Sequence, residues 1–339
     1  MRPNTHGRLV KPLIWRDGPD GVYPGKLFWM EGSKDMEGFG ASFSYAFVTK
    51  ECVLFPQDGA LVHPFDTALA FVGIDTDDIL DLHATVSIEI GVERETYTFN
   101  ESKIVSIPKG TQYGNVRVSD ISGKGFVEYS VYLAPEYSYM IVPQNELKEP
   151  VHGRKYKDFI QPYVWTLDQK TNKVKGDLVG DMGVDGDGSG MGYERSADDR
   201  GVAHPHDAEG PGGMGPGNAD TLLWVFGEDM QGFELNTLWG HYSRPGIWHR
   251  GGESHTHPNE ELLIPVSIDP DDPFNIGAEV EMAMGDSDER YPVTAPSVYI
   301  CPKNFSHLPE ITRWADRPYG FTIINLDGSH ESPWKGRDE

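Results

Sequence analysis

The chain reads as an all-β protein made from one domain copied twice. Three observations carry this. The pentamer DMEGF at Asp35–Phe39 returns as DMQGF at Asp229–Phe233, and the register then holds without a gap until Pro108 lies over Pro302. Glycine (39) and proline (25) are frequent among 339 residues, so turns are common and long helices few. Segments such as ATVSIEIG at Ala84–Gly91 and AEVEMAMG at Ala278–Gly285 alternate apolar and polar residues with the period of a strand.

Taken in order, each element repeats. Trp29 and Gly32 match Trp224 and Gly227 with a slip of one residue. His63-Pro64 lies over His257-Pro258. The acidic turn at Asp75, Asp77 and Asp78 lies over Asp269, Asp271 and Asp272. The short runs SKIVSIP and PSVYICP, each closed by proline, complete a second pair of strands. A register kept through strand, turn and strand marks a duplication. The repeat runs about Leu27–Leu133 and Leu222–Leu326. This gives an N-terminal extension (1–26), a first domain (27–133), a connecting insert (134–221) and a second domain with a C-terminal tail (222–339). Within the insert, YVWTLDQKTNKVKGDLV reads as a hairpin. Glycines interleaved with aspartates then fill 176–217, as in a connector, a lid or a subunit arm.

The charge excludes partners. Asp and Glu number 53 against 29 Lys and Arg, for a net charge of −24. Nucleic acid and anionic membrane both select basic surfaces, so neither is an expected partner. The two cysteines, Cys52 and Cys301, are too few for a disulfide framework. No apolar leader and no run of about 18 apolar residues is visible. The expectation is a soluble, cytoplasmic protein.

The second copy carries the chemistry. GGESHTHPNEELLIPV contains His255, His257 and Glu261, which share parity along a strand and so face one side. His307 follows in CPKNFSHLPE, just after another strand. Three imidazoles and one carboxylate suit a divalent ion such as Mn2+, Fe2+ or Zn2+, one per chain. In the first copy the same positions hold Leu61, His63, Thr67 and Tyr113, so three of the four ligand types are missing.

This pattern resembles the cupin superfamily. Its first motif, His-x-His followed by Glu, fits His255, His257 and Glu261. Its second, Pro-x-Gly-x-x-His, fits Pro302 and His307, with Asn304 where glycine is usual. Asn also tolerates positive φ, so ligation by His307 is compatible with that replacement. The resemblance covers both repeats. It implies two jelly-roll β-barrel domains, a bicupin with one live metal site and a degenerate N-terminal cupin, and further assembly into a homo-oligomer.

His241 and His249 occur only in the metal-bearing copy, where the first copy has Phe47 and Phe55, and they read as pocket acid–base candidates. Glu310 reads as a general base or a rim carboxylate. Glu260 adjoins Glu261 but points the other way on a strand. Tyr299, Arg250, Trp239 and Trp314 read as pocket lining or as core. DGDGSG at Asp185–Gly190 lacks the closing Glu of a calcium loop, having Ser196 there. Gly210, Gly212 and Gly215 follow no strand, so no dinucleotide site is expected. His204–Asp207 reads as solvated.

The expected function is a metal-dependent hydrolase, lyase or isomerase. The ion acts as Lewis acid on a small oxygen-rich substrate, a cyclic diketone or a polyphenol-derived ring. Similarity of the DPDDP turn and the DRPYGF segment to cupins of anaerobic bacteria favours chemistry without O2. The alternatives are an Fe(II) dioxygenase that cleaves C–C bonds and a non-catalytic ligand-binding cupin.

Overall fold

The structure is a computed structural model. It describes residues 5–163, 165–168, 173–175, 218–248, 254–287 and 289–328. Two compact units divide the chain. One is Leu13–Tyr163; the other joins Met1–Pro12 to Val164–Glu339. The glycine-rich stretch 176–217, with the calcium-loop and His204–Asp207 segments, lies outside the described residues, as do His249 and Arg250.

Among the described residues the regular structure is almost wholly β. In the Leu13–Tyr163 unit, one sheet runs Ile160–Pro162, Lys103–Ile107, Thr67–Gly73, Phe126–Tyr132, Ser42–Val48, Lys26–Met30 and Trp15–Asp17. The other runs Met140–Val142, Cys52–Val62, Gln112–Ser119, Asp81–Ile90 and Glu95–Glu101. Leu69, Phe71, Val105 and Phe126 from the first sheet pack on Val86, Ile88, Ile90 and Val118 from the second. Strand alternation explains why: every second residue faces the partner sheet and is apolar.

The other unit repeats this order. Its large sheet runs Val10–Pro12, Ser297–Cys301, Glu261–Val266, Tyr319–Asn325, Asn236–Tyr242, Ala219–Val225, Trp165–Asp168 and Lys173–Lys175. Its smaller sheet runs Gly246–Ile247, His307–Ala315, Ala278–Met284 and Glu289–Val293. The last two strands of the large sheet pair antiparallel, as the hairpin reading expected.

The repeat extends further upstream than its obvious matches. Val10–Pro12 pairs with Ser297–Cys301, and Ile160–Pro162 pairs with Lys103–Ile107, the same position in the other copy. Val-Lys-Pro before Trp15 thus corresponds to Ile-Gln-Pro before Trp165. Each short strand serves the sheet edge that its fold requires. The one at the N-terminus serves the distant copy.

The N-terminal segment is anchored beyond that ladder. The Thr5 amide donates to Glu289 Oε2 and the His6 amide to the Tyr291 hydroxyl, both at 2.9 Å. The His6 ring meets Phe305 edge-on at 5.1 Å. Deleting residues 1–12 should strip these bonds and expose the edge of Ser297–Cys301. At about 0.5–1.5 kcal/mol per hydrogen bond, a loss of about 3 kcal/mol and a fall of roughly 5–10 °C in the melting of this unit are expected. An unchanged thermal melt would show that the segment contributes nothing.

Candidate metal centre

His255 and His257 sit on the segment leading into Glu261–Val266, and backbone bonds fix both. His255 and His307 exchange N–H···O bonds at 3.0 and 3.1 Å. The Asn304 amide donates to the His257 carbonyl at 2.6 Å. Asn304 has φ 58°, the left-handed conformation that the motif's glycine would supply, and Gly110 holds φ 76° at the matching place in the first copy. Asn therefore makes the turn that presents His307.

The four side chains converge. His255, His257, Glu261 and His307 are all buried, and one ligand atom from each lies within 4.8 Å of the others. The Nε2 atoms of His255 and His257 are 2.9 Å apart. Glu261 Oε2 lies 3.2 Å from His257 Nε2 and 2.9 Å from His307 Nε2. His307 donates its Nδ1–H to the Phe305 carbonyl at 3.0 Å, so in the neutral ring Nε2 bears the lone pair. That lone pair confronts a carboxylate oxygen. Both His307 Nε2 and Glu261 Oε2 are buried without a properly aligned hydrogen-bond partner. Acceptors brought together in this way require a positive charge between them, a proton on the imidazole or a metal ion.

Without an ion, the same groups couple as a carboxylate beside an imidazolium. Burial by itself would raise the Glu261 pKa, yet His257 and His307 hold it well below the usual carboxylate range. Burial would lower His307, but Cys301 and Glu261 push it up to about 10. The donor set of three imidazole nitrogens and one carboxylate oxygen is that of a divalent transition-metal site. The residues fit the ion that the motif implies.

Two neighbours of the cluster were missed from sequence. Asn325 lies opposite Glu261 in the ladder and donates its amide to Glu261 Oε1 at 3.4 Å. Cys301 faces Glu261 from the other side and is buried. Neither belongs to a ligand motif, and only the pairing register brings them to the site.

The acid–base candidates separate. Glu310 is 2% exposed, which replaces the rim reading with a buried one. It stands opposite Met282 across the smaller sheet, and its Oε2 has no hydrogen-bond partner. Burial, and then the charge on Glu261, push its carboxyl well above the usual range. His241 is buried beside Trp239. It pairs with Gly320, an odd number of residues from Asn325, so alternation sets it on the sheet face away from Glu261. Tyr299 faces inward beside Leu263 and donates to the Val280 and Tyr291 carbonyls, and Trp239 is wholly buried. Trp314 is 39% exposed.

In the first unit the corresponding place is occupied by other chemistry. His63 is buried, with Nδ1 2.9 Å from the Ser138 carbonyl and Nε2 2.9 Å from the Tyr113 hydroxyl. Phe65, Tyr132 and Tyr137 surround its ring. Burial lowers its pKa to about 4. Both nitrogens are engaged within the protein.

No protein-family model and no curated protein matches this chain. Solved structures do. An oxalate decarboxylase variant from Bacillus subtilis superposes with a TM-score of 0.51 at 11% identity, over 95% of this chain and 77% of that one. Oxalate decarboxylase from Bacillus subtilis at pH 4.6 gives 0.52 at 11% identity, over 95% and 76%. Such identities speak to fold alone. Among the described residues no helix is long and apolar enough to cross a membrane. The chain has a bicupin-like fold, similar to that of oxalate decarboxylase, with a candidate metal cluster in its C-terminal unit.

Proposed function

We propose that this chain is a metal-dependent bicupin enzyme. A divalent ion at His255, His257, Glu261 and His307 would act on a small, oxygen-rich substrate such as a cyclic diketone or a polyphenol-derived ring. The convergence of the four donor side chains, with His307 Nε2 and Glu261 Oε2 lacking an aligned hydrogen-bond partner, carries this reading. When bound, the ion supplies Lewis acidity for hydrolysis, cleavage or isomerisation.

The chain's own residues do the rest. Phe305 fixes the His307 tautomer, and Asn325 steadies the second oxygen of Glu261. Glu310 keeps its proton on a buried carboxyl near the cluster, the state required of a general acid. The N-terminal unit, with His63 committed on both nitrogens, serves as a degenerate, structural partner.

The test is turnover. Protein purified without oxygen and loaded with Mn2+, Fe2+ or Zn2+ is assayed on cyclic diketones and polyphenols, with and without O2. Oxalate is included because the fold is shared with an oxalate decarboxylase. Product in the absence of O2 is the expected result. Turnover only with iron and O2 would make the chain a dioxygenase. Binding without turnover would leave a ligand-binding protein.

A further inference from the structure

The Leu13–Tyr163 unit opens where two neighbouring strands part. Between Cys52–Val62 and Gln112–Ser119 the ladder is paired at Ala60 and Gly114 and resumes at Phe55 and Val116. Four residues, Pro56–Gly59, thus stand opposite Asn115 alone. Such an imbalance bends the strand and re-aims its side chains. Gly59 (φ 73°) and Asn115 (φ 47°) take the left-handed backbone that the bend needs. The gap is a cavity of about 160 Å3, bordered by Gln57, Asp58, Arg94, Asn115, Arg117 and Gln144.

One chain of hydrogen bonds holds two guanidinium groups at this cavity. Arg94 is 8% exposed; it donates its Nε–H to Glu89 Oε2 at 2.6 Å and a terminal N–H to the Lys148 carbonyl. Asn115 donates its amide to the other oxygen of Glu89 and accepts the Arg117 Nε–H at 2.6 Å. A guanidinium has five N–H groups; these bonds use two on Arg94 and one on Arg117. Arg117 keeps its two terminal nitrogens, the fork that suits a carboxylate. Glu89 offsets the charge of Arg94 from behind, and Asp58 is the one acid on the border, so one negative charge suits the cavity better than two. The shared fold does not require this network. Where the first copy has Glu89, Arg94, Asn115 and Arg117, the second has Ala283, Asp288, Pro309 and Ile311.

We infer that this cavity binds a small monocarboxylate, with its oxygens on the Arg117 fork and the Arg94 guanidinium and its polar remainder against the amides of Gln57 and Gln144. Sites for drug-sized molecules span about 300–1,000 Å3, so this one admits an acid of only a few carbons. The inference is independent of the metal centre, which belongs to the other unit.

Calorimetric titration of the full chain with acetate and lactate tests it, after chelation so that no ion competes for the acid. Saturable binding of about one acid per chain is expected. Arg117→Gln should weaken it about tenfold or more, the loss that follows removal of a charge-assisted, two-pronged contact. Arg117 is exposed, so the variant should melt as the wild type does. Phenylglyoxal labelling read by mass spectrometry needs no variant. Lactate should slow modification of Arg117 and leave that of Arg313, in the other unit, unchanged. Absence of saturable binding, equal affinity in Arg117→Gln, or equal labelling with and without lactate would overturn the site. Tighter binding of inorganic phosphate than of lactate would overturn the carboxylate assignment.

Discussion

His255→Ala and His307→Ala, each purified without oxygen, are expected to contain no stoichiometric metal and to show no activity, whereas His63→Ala keeps both. The reason is geometric. His255 and His307 each offer a nitrogen to the convergent cluster, and they also hold each other through paired backbone bonds. Changing the groups that merely orient a ligand costs about 10–100-fold in metal affinity, and removing a ligand costs more. His63 gives its nitrogens to Ser138 and Tyr113, so its removal touches no ion. Metal also stabilises the state that binds it. At 100–1,000 times its dissociation constant an ion adds about 2.7–4.1 kcal/mol, so chelation should lower the melting of the C-terminal unit. Elemental analysis and thermal melting check both statements. Loss of metal from His63→Ala would move the site to the other unit.

The second large effect is expected at Glu128. This carboxyl is wholly buried on Phe126–Tyr132, alternating with Phe126, which faces the core between the sheets. Ser130 hydrogen-bonds one oxygen; the other has no partner. Burial raises its pKa from 4.5 to about 8, and the Ser130 hydroxyl only partly opposes this. The folded chain thus keeps a proton that the unfolded chain releases near pH 4.5. Between pH 4.5 and about 8 the folded state binds more protons, so the Glu128 contribution to stability falls as pH rises and levels off above that window. Glu128→Gln removes the effect. It should stabilise the protein at pH 8.5 by on the order of a few kcal/mol relative to wild type, with little difference near pH 4.5. The burial of His63 acts with the opposite sign between about 4 and 6.5, and it cancels in the comparison because both proteins carry it. Denaturant unfolding of the two proteins across this range gives the answer. Parallel curves would mean that Glu128 is ionised and paired in the folded state.

The duplicated strand pattern and the four residues of the candidate cluster are legible because both depend on local pattern. Period-two alternation, the acidic turns and the His-x-His spacing are written along the chain. Asn304 also declared itself, since Asn accepts the left-handed turn that glycine would make. The upstream part of each repeat was hidden, as Val10–Pro12 and Ile160–Pro162 share little beyond a proline and a following tryptophan. Their equivalence appears only when each pairs with the same strand of a different copy. Cys301 and Asn325 were invisible for a related reason: contact across a ladder is set by register, which no local spacing encodes. Sequence alone favours the rim for Glu310, because a carboxylate is seldom buried without a partner. Its burial beside a candidate metal cluster is the kind of local inconsistency that marks functional sites. His241 drew attention by being absent from the first copy, but parity turns it to the other face of its sheet.

The central claim is that the C-terminal unit holds an ion between His255, His257, Glu261 and His307. Elemental analysis of the full chain, purified without oxygen from metal-replete cells, tests it most directly. About one divalent transition-metal ion per chain is expected, lost on His307→Ala replacement. A chain that folds fully, carries no metal and takes up none on incubation with Fe2+, Mn2+ or Zn2+ would contradict it.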